Sequence, residues 1–220
     1  SADEIHIKVL GKGGHGAHPH QNIDPVLIAA QIITQLQTVV SRHANPSIPS
    51  VLSIGKVIAN GATNIIPNEV TMEGTFRTYD EEWRMRAHTL IEKMCNDIAE
   101  SHGAKCEAEV RKGYPFLRND EELSNHARTW AEEYLGAENV EDLEIWPAGE
   151  DFAYYSQEIP ACFYRLGIRN QERGITSMLH TPTFDIDEKA LKVGSGLMAW
   201  LAVRELLSTH SSPKVEEHSN

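Results

Sequence analysis

The sequence predicts a mixed α/β protein that begins with a ferredoxin-like β-α-β-β-α-β domain, a four-stranded antiparallel sheet with both helices on one face. Two observations predict this domain: four segments alternate apolar and polar residues, and two helical stretches separate them in that order. Beyond the Tyr114-Pro115 linker, helices alternate with short strands that are too few for a complete sheet. This second half is therefore predicted to be part of an α/β domain whose other strands lie elsewhere.

The strands of the first domain show the two-residue alternation of half-buried strands, and they are predicted at 4–10, 50–58, 69–78 and 104–112. In the third, Val70, Met72, Gly74 and Phe76 share one face. Asp24-Pro25 opens the first helix, because proline suits the first helical turn. Its apolar residues follow helical spacing at Val26, Ala29, Ile33, Leu36 and Val40. The second helix, 81–101, has acidic residues in its first turn, where the helix dipole favours them.

The second half is predicted to contain three helices, at 121–135, 152–157 and 187–207, and two short strands, at 143–146 and 161–168. The polar end of the chain is predicted to be disordered. The resulting domain boundaries are 1–113 for the ferredoxin-like domain, 114–208 for the α/β segment and 209–220 for the tail.

Composition excludes several classes of function. The formal net charge of −12 argues against nucleic-acid binding, which needs clustered Lys and Arg. No apolar run approaches the roughly 18 residues of a membrane span, and no targeting signal is visible, so a cytoplasmic protein is expected. The three cysteines show no CxxC spacing, which favours free thiols in a reducing compartment. The chain opens on Ser1 and enters a strand at once, as a segment of a longer protein would.

The stretch GKGGHGAHPH, residues 11–20, is the first candidate for chemistry. It lacks the GxxxxGK[ST] pattern of a phosphate loop, and its histidine spacing fits no common zinc site. Solvated loop histidines are the remaining alternative. His15 differs from the others because it ends a strand and is flanked by Gly13, Gly14 and Gly16. Such a loop lets the backbone approach another surface closely and project one imidazole.

Four motifs together resemble the zinc-dependent aminoacylase/carboxypeptidase family, which includes hippurate hydrolases, N-acyl-amino-acid amidohydrolases and plant auxin-conjugate hydrolases. They are GKGGHGAHPHQNIDPV, NGATNIIPNEVTMEGTFR, AGEDFAYY and LHTPTFDIDEKAL, and the resemblance covers nearly the whole chain apart from the tail. It implies a catalytic α/β domain interrupted by a ferredoxin-like lid that also forms a homodimer. This chain would supply the lid and the C-terminal portion of the catalytic domain.

The resemblance assigns roles to three residues of the lid. His15 would enter the active site of the partner subunit and stabilise the oxyanion of a tetrahedral intermediate, which an imidazole N–H can do. Asn64 and Arg77 would bind the substrate carboxylate, with Arg77 offering a planar pair of donors. Both are expected at one rim of the lid sheet. His18 has no catalytic role by this reasoning, and His20 is expected to help hold the loop.

In the second half, the resemblance makes His180 a metal ligand. Glu150 and Asp151 would orient ligands and their loop, or Asp151 would cap the following helix. The implied cofactor is a divalent metal, two zinc ions in a complete site, with manganese or cobalt as alternatives. The family's other ligands and its general base lie in an N-terminal half that has no match in these residues. The chain alone is therefore predicted to be inactive.

The predicted function is that of a segment of a metal-dependent amidohydrolase or metallopeptidase. The complete enzyme would cleave the amide bond of N-acyl amino acids or small peptide conjugates. The alternative is a non-catalytic dimerisation or binding module derived from the same family.

Overall fold

The structure is a computed structural model that describes residues 1–146 and 148–209. The chain forms two compact units. The first contains Ser1–Leu117 and Ile145–Gln157, and the second contains Arg118–Glu144 and the described residues from Glu158 onward. The predicted tail, 209–220, lies outside the described residues apart from its first position.

The first unit is built on a sheet of four strands: β1 (Ala2–Leu10), β3 (Ser50–Ile58), β5 (Glu69–Thr78) and β6 (Lys105–Tyr114). Their order across the sheet is β3-β5-β1-β6, and every neighbouring pair is antiparallel. Two further strands of two residues each, β2 (Gly14–His15) and β4 (Ile65–Ile66), pair with each other. This arrangement confirms the predicted ferredoxin-like domain.

Two helices, α1 (Pro25–Thr38) and α2 (Glu81–Ser101), pack against the sheet and against each other. Asp24 caps α1 by accepting a hydrogen bond from the N–H of Val26 at 2.8 Å. The core lies between helices and sheet, and its largest members include Ile5, Ile28, Ile32, Leu36, Met72, Phe76 and Ile91.

The predicted inward face of β5 is confirmed, since Val70, Met72 and Phe76 are all buried. The predicted face of α1 is partly wrong. Val26 is 41% exposed, whereas Ile28 and Ile32 are buried. The run VLIAAQII is apolar on several sides of the helix, so periodicity alone does not identify the buried side.

A buried polar cluster joins the start of β1, the first half of α2 and the end of β6. The carboxylate of Asp3 accepts hydrogen bonds from both Nε and Nη2 of Arg84, from His88 Nε2 at 2.8 Å and from the N–H of Gly113 at 2.9 Å. Arg84 Nη2 also donates to the carbonyl oxygens of Gly113 and Tyr114. Every polar atom of the carboxylate is therefore satisfied inside the protein, as a buried charge requires.

The second unit contains α3 (Glu121–Leu135) and α5 (Lys189–Thr209), and the short helix α4 (Ala153–Glu158) precedes its second segment. The indole Nε1 of Trp200, on α5, donates to the carbonyl oxygen of Trp130, on α3, at 3.1 Å. The guanidinium of Arg204 lies over both indole rings, 5.8 Å from the centroid of Trp130 and 5.4 Å from that of Trp200. These contacts hold the two long helices together.

The prediction of strands at 143–146 and 161–168 is wrong, because neither segment forms a strand. A strand needs an adjacent strand to take its backbone hydrogen bonds. The ends of 161–168 bond elsewhere: Ala161 O accepts from the N–H of Asp120, and Ile168 O accepts from the N–H of Asp187. Within the described part of the chain, no strand lies beside either segment.

None of the helices in the described residues has the length and apolar character that crossing a bilayer requires.

Replacing Asp3 by Asn should lower the free energy of unfolding by about 3–5 kcal/mol, because it removes the fully buried carboxylate that pairs with Arg84 and leaves the guanidinium with only the partly exposed Glu81 as counter-charge. The matched control is Glu73→Gln, which breaks the exposed ion pair with Lys56 and should cost less than about 1 kcal/mol. Urea unfolding followed by circular dichroism measures both. Equal losses in the two variants would contradict the importance of the buried pair.

The same cluster should make stability depend on acid. Burial raises the pKa of Asp3, but hydrogen bonds from Arg84, His88 and the Gly113 N–H outweigh burial and hold that pKa well below its usual range. A carboxyl whose pKa is lower in the folded protein stabilises it fully above the unfolded pKa of about 4, and this contribution is lost as the pH falls below that value.

Urea titrations between neutral pH and acid should therefore show a steeper loss of stability in the wild type than in Asp3→Asn. If the free energy of unfolding of both proteins falls equally with pH, other carboxylates cause the loss of stability in acid.

Candidate functional site

His15 and Asn64 lie in the small antiparallel β2–β4 pair and the residue next to it, at the end of the sheet where β1 finishes and β5 begins. In the pairing of β2 with β4, Gly14 lies opposite Ile66 and His15 opposite Ile65. The N–H of Gly16 donates to the carbonyl oxygen of Asn64 at 2.9 Å. The side chains of His15 and Asn64 are both exposed. Two residues that are 49 positions apart in the sequence (64 − 15) therefore present polar groups on the same structural element.

The β2–β4 pair needs glycine before His15, as the sequence predicts. A Cβ on Gly13 would lie 2.4 Å from the carbonyl oxygen of Ile66, and a Cβ on Gly14 would lie 2.2 Å from Asn22 Oδ1. No side chain fits at either position unless the Ile66 backbone or the Asn22 side chain moves. Gly16 differs, because the nearest atom to its Cβ would be 3.5 Å away.

The loop that carries His15 is held by hydrogen bonds on several sides. The N–H of Ala17 donates to His15 Nδ1 at 3.0 Å, and Asn22 Nδ2 donates to the His15 carbonyl oxygen at 3.1 Å. The N–H of Gly13 donates to Asn68 Oδ1 at 3.0 Å. These residues are absent from the predicted site. The Asn68 contact spans 55 positions and depends on the fold, whereas the contacts of Ala17 and Asn22 with His15 are local to the loop. The sequence signal for them is asparagine close to a glycine-rich loop.

The other two histidines of the stretch lie in the same exposed loop. The ring centroid of His18 is 5.4 Å from that of His15 and 6.1 Å from that of His20. The backbone N–H of His18 donates to the His15 carbonyl oxygen, which gives His18 a structural contact in the turn.

Arg77 lies at the opposite end of β5, so the expectation that Arg77 and Asn64 share one rim of the sheet is wrong. Arg77 is the penultimate residue of β5 and lies opposite Val51 of β3. At about 3.3 Å per residue, the eight steps along the strand from Glu69 to Arg77 extend for about 26 Å. Phe76 and Thr78 on either side are buried, so Arg77 is on the sheet face that the helices do not cover.

The segment with Glu150 and Asp151 lies at the same end of the sheet as Arg77. A Cβ on Gly149 would be 2.9 Å from the Cβ of Ala2, and the rings of Tyr114 and Tyr154 meet edge to face with centroids 6.0 Å apart. The N–H of Phe152 donates to Glu150 Oε1 at 3.3 Å just before α4. Asp151 is exposed.

His180 belongs to the second unit and lies on an exposed turn. Its φ of 62° is the one positive value at a non-glycine residue among those described. Histidine is among the residues that adopt this region more readily than most, yet the conformation is uncommon and is concentrated at functional sites. The turn is held by Thr181 Oγ1, which donates to the Met178 carbonyl oxygen at 2.8 Å. The loop ends at Asp187, whose carboxylate accepts from Arg173 Nη1 at 2.9 Å.

The donor groups of the described residues do not form a metal site by themselves. Within residues 1–146 and 148–209, no three His, Cys, Asp or Glu side chains are grouped so that they could bind one ion. His180 therefore stands as a single candidate ligand. Each ion of a two-metal site needs several ligands, which this part of the chain does not bring together.

Gly13→Ala should destabilise the first unit by about 1–3 kcal/mol, because its methyl group would overlap backbone atoms of the facing strand. Gly16→Ala is the matched control in the same loop and should cost less than about 0.5 kcal/mol. Urea unfolding gives both values. Amide hydrogen exchange at residue 16, whose N–H donates to the Asn64 carbonyl oxygen, reports whether the two segments separate. Similar costs for the two variants would show that the close approach is unimportant.

The sequence and fold match known proteins over most of the chain. A family model described as the peptidase dimerisation domain matches residues 1–103. N-acetylcysteine deacetylase of Bacillus subtilis is 38% identical over 203 residues, which cover 92% of this chain and 52% of that protein. The IAA-amino acid hydrolase ILR1-like 4 of Arabidopsis thaliana is 35% identical over 211 residues, which cover 93% of this chain and 48% of that protein.

Among solved structures, a dinuclear metal-binding peptidase of the M20 family from Bacillus subtilis superposes with a TM-score of 0.69 and 34% identity, covering 92% of this chain and 49% of that one. The chain thus spans about half the length of the curated relatives it matches. These matches confirm the resemblance that the four motifs predict: residues 1–103 match the peptidase dimerisation domain, and the chain is similar over most of its length to amidohydrolases and to a peptidase of the M20 family.

Proposed function

We propose that this chain is the lid and the C-terminal catalytic segment of a metal-dependent amidohydrolase that acts in the cytoplasm. Residues 1–113 form the lid and dimerisation domain, and residues 114–208 belong to the catalytic domain. The complete enzyme cleaves the amide bond of N-acyl amino acids or small peptide conjugates. The names of two relatives, a deacetylase of N-acetylcysteine and a hydrolase of an amino-acid conjugate, support this substrate class.

The β2–β4 pair that presents His15 beside Asn64 is the observation that carries the proposal. Both side chains are exposed at the tip of the dimerisation domain, where they can enter the active site of a partner subunit. There the imidazole N–H of His15 donates to the oxyanion that forms when the amide carbonyl is attacked. A donor placed in advance stabilises this charge more in the transition state than in the substrate.

The distance between Asn64 and Arg77 supports a homodimer. The two residues lie at opposite ends of β5 in one chain, so they cannot bind the same small carboxylate. Two copies can solve this: Asn64 and His15 come from one subunit, and Arg77 comes from the other. The carboxylate then receives the planar pair of donors from Arg77 and a neutral donor from Asn64.

His180 is proposed as one ligand of a divalent metal site whose other ligands lie outside this chain. Two zinc ions are the expected occupants of the complete site, with manganese or cobalt as alternatives. Glu150 and Asp151 are proposed to orient a neighbouring loop or ligand. Since the described residues do not themselves form a metal site, the chain alone should be inactive.

The second unit supports the need for a further part of the catalytic domain. On α5, Leu191, Met198 and Val203 are 59%, 58% and 51% exposed, and at about 100° per residue they are spread over more than one side of the helix. A helix that is apolar on both its buried and its exposed side is typical of the interior of a larger domain. The segments 143–146 and 161–168, which have strand-like sequences but no partner strand here, indicate the same.

The alternative is a non-catalytic dimerisation or binding module. The observation that favours it is the lack of a grouped set of metal ligands in the described residues. His15, Asn64, Arg77 and His180 speak against it, because a module without catalysis has no need for all four family residues.

The test uses the protein expressed from its own start codon, so that any segment preceding Ser1 is included. Metal content and release of free amino acid from a panel of N-acyl amino acids are measured for the wild type and for three variants. His15→Ala should lower kcat by about 10²–10³-fold with metal content unchanged, because it removes one oxyanion donor. His180→Ala should lower metal content, and His18→Ala, the control from the same loop, should change neither.

A protein that binds no metal and releases no amino acid would overturn the hydrolase proposal in favour of the binding module. Equal effects of His15→Ala and His18→Ala would remove the assigned role of His15.

A further inference from the structure

We propose that the backbone N–H of Ala17 holds His15 in the tautomer whose ring proton lies on Nε2, which makes Ala17 a positioning residue for that imidazole. The contact is the hydrogen bond of 3.0 Å from the Ala17 N–H to His15 Nδ1. The catalytic consequence of this tautomer rests on the proposed function of His15, whereas the tautomer itself does not.

The tautomer follows from the chemistry of the two groups. A backbone N–H can only donate, so Nδ1 must accept and cannot itself carry a hydrogen in this arrangement. A neutral imidazole has one ring proton, which must then lie on Nε2. The exposed His15 ring therefore offers a donor at its Nε2 position.

The surrounding loop keeps the Ala17 N–H in place. The preceding residue, Gly16, donates its own N–H to the Asn64 carbonyl oxygen at 2.9 Å. The carbonyl oxygen of His15, in the same peptide group, accepts from the N–H of His18 at 2.9 Å and from Asn22 Nδ2 at 3.1 Å. The peptide group that links His15 to Gly16 is thus fixed by partners outside the ring.

This arrangement matches the proposed task of His15. An oxyanion needs a donor, and a ring that exposed Nε2 as an acceptor would repel it. In an unconstrained histidine, the proton can lie on either nitrogen, and the hydrogen bond made by one nitrogen decides the state of the other. The hydrogen bond from the Ala17 N–H thus sets the tautomer of His15 before any substrate binds.

The experiment is nuclear magnetic resonance on this chain, labelled with ¹⁵N, near neutral pH. Long-range ¹H–¹⁵N spectra assign the protonated nitrogen of His15, and a scalar coupling between the Ala17 amide nitrogen and His15 Nδ1 reports the hydrogen bond directly. We expect the coupling, with Nδ1 unprotonated and Nε2 protonated. Ala17→Pro removes the N–H and should raise the Nδ1-protonated population, while Ala17→Gly keeps the N–H and should retain the wild-type pattern.

An unmodified chain with the proton on Nδ1, or with no coupling to Ala17, overturns the inference, whatever the variants do. Because this measurement needs only the wild-type chain, a failure of Ala17→Pro to fold does not protect the inference. The catalytic consequence is read in the full-length protein, where Ala17→Pro should lower kcat with metal content unchanged and Ala17→Gly should recover most of that loss.

The two proposals fail in different ways. If the expected spectra are found but His15→Ala keeps full turnover, the proposed function of His15 is wrong and the tautomer stands. If His15→Ala loses turnover but the ring proton is on Nδ1, the proposed function stands and the role of Ala17 is wrong.

Discussion

The antiparallel pairing of β1 with β5 is the constraint on which the candidate site depends. Its register sets Leu10 opposite Glu69 at one end and Asp3 opposite Phe76 at the other. The chain leaves β1 directly into the glycine loop of His15 and enters β5 directly from the loop of Asn64. The pairing therefore brings these two loops together, so that β2 and β4 can pair with each other. The same register carries Arg77 to the far end of the sheet.

The far end of the sheet is secured by a different kind of interaction. There the carboxylate of Asp3 joins β1 to α2 through Arg84 and His88, and to β6 through the Gly113 N–H. Apolar contacts alone would permit several ways of ending these elements, since they are not directional. A buried charge that is stable only with all its donors in place is far more selective. The sheet that separates Arg77 from the β2–β4 pair is therefore fixed at both ends.

The sequence was informative where a local pattern determines structure. Alternation identified the strands of the sheet, and Asp24-Pro25 and the acidic start of α2 identified the helices. It failed at 143–146 and 161–168, because a strand also needs a neighbour and no single-segment pattern contains that neighbour. In the candidate site, motifs located His15 and Asn64, but they could not show that Arg77 lies a full strand length away. The contact of Asn68 with Gly13 spans 55 positions, so only the fold reveals it.

The geometry of the first unit supports the proposal that catalysis needs an assembly of chains. One chain presents His15 and Asn64 outward at one end of a rigid sheet and Arg77 at the other, so its own residues cannot converge on one small substrate. A flexible loop could bridge such a gap, but β5 is a continuous strand paired on both sides along its length. In the proposed homodimer, convergence comes from a second copy whose sheet brings the opposite end to the same place. The rigidity of the strand, rather than any catalytic motif, is thus the strongest support for the proposed shared active site.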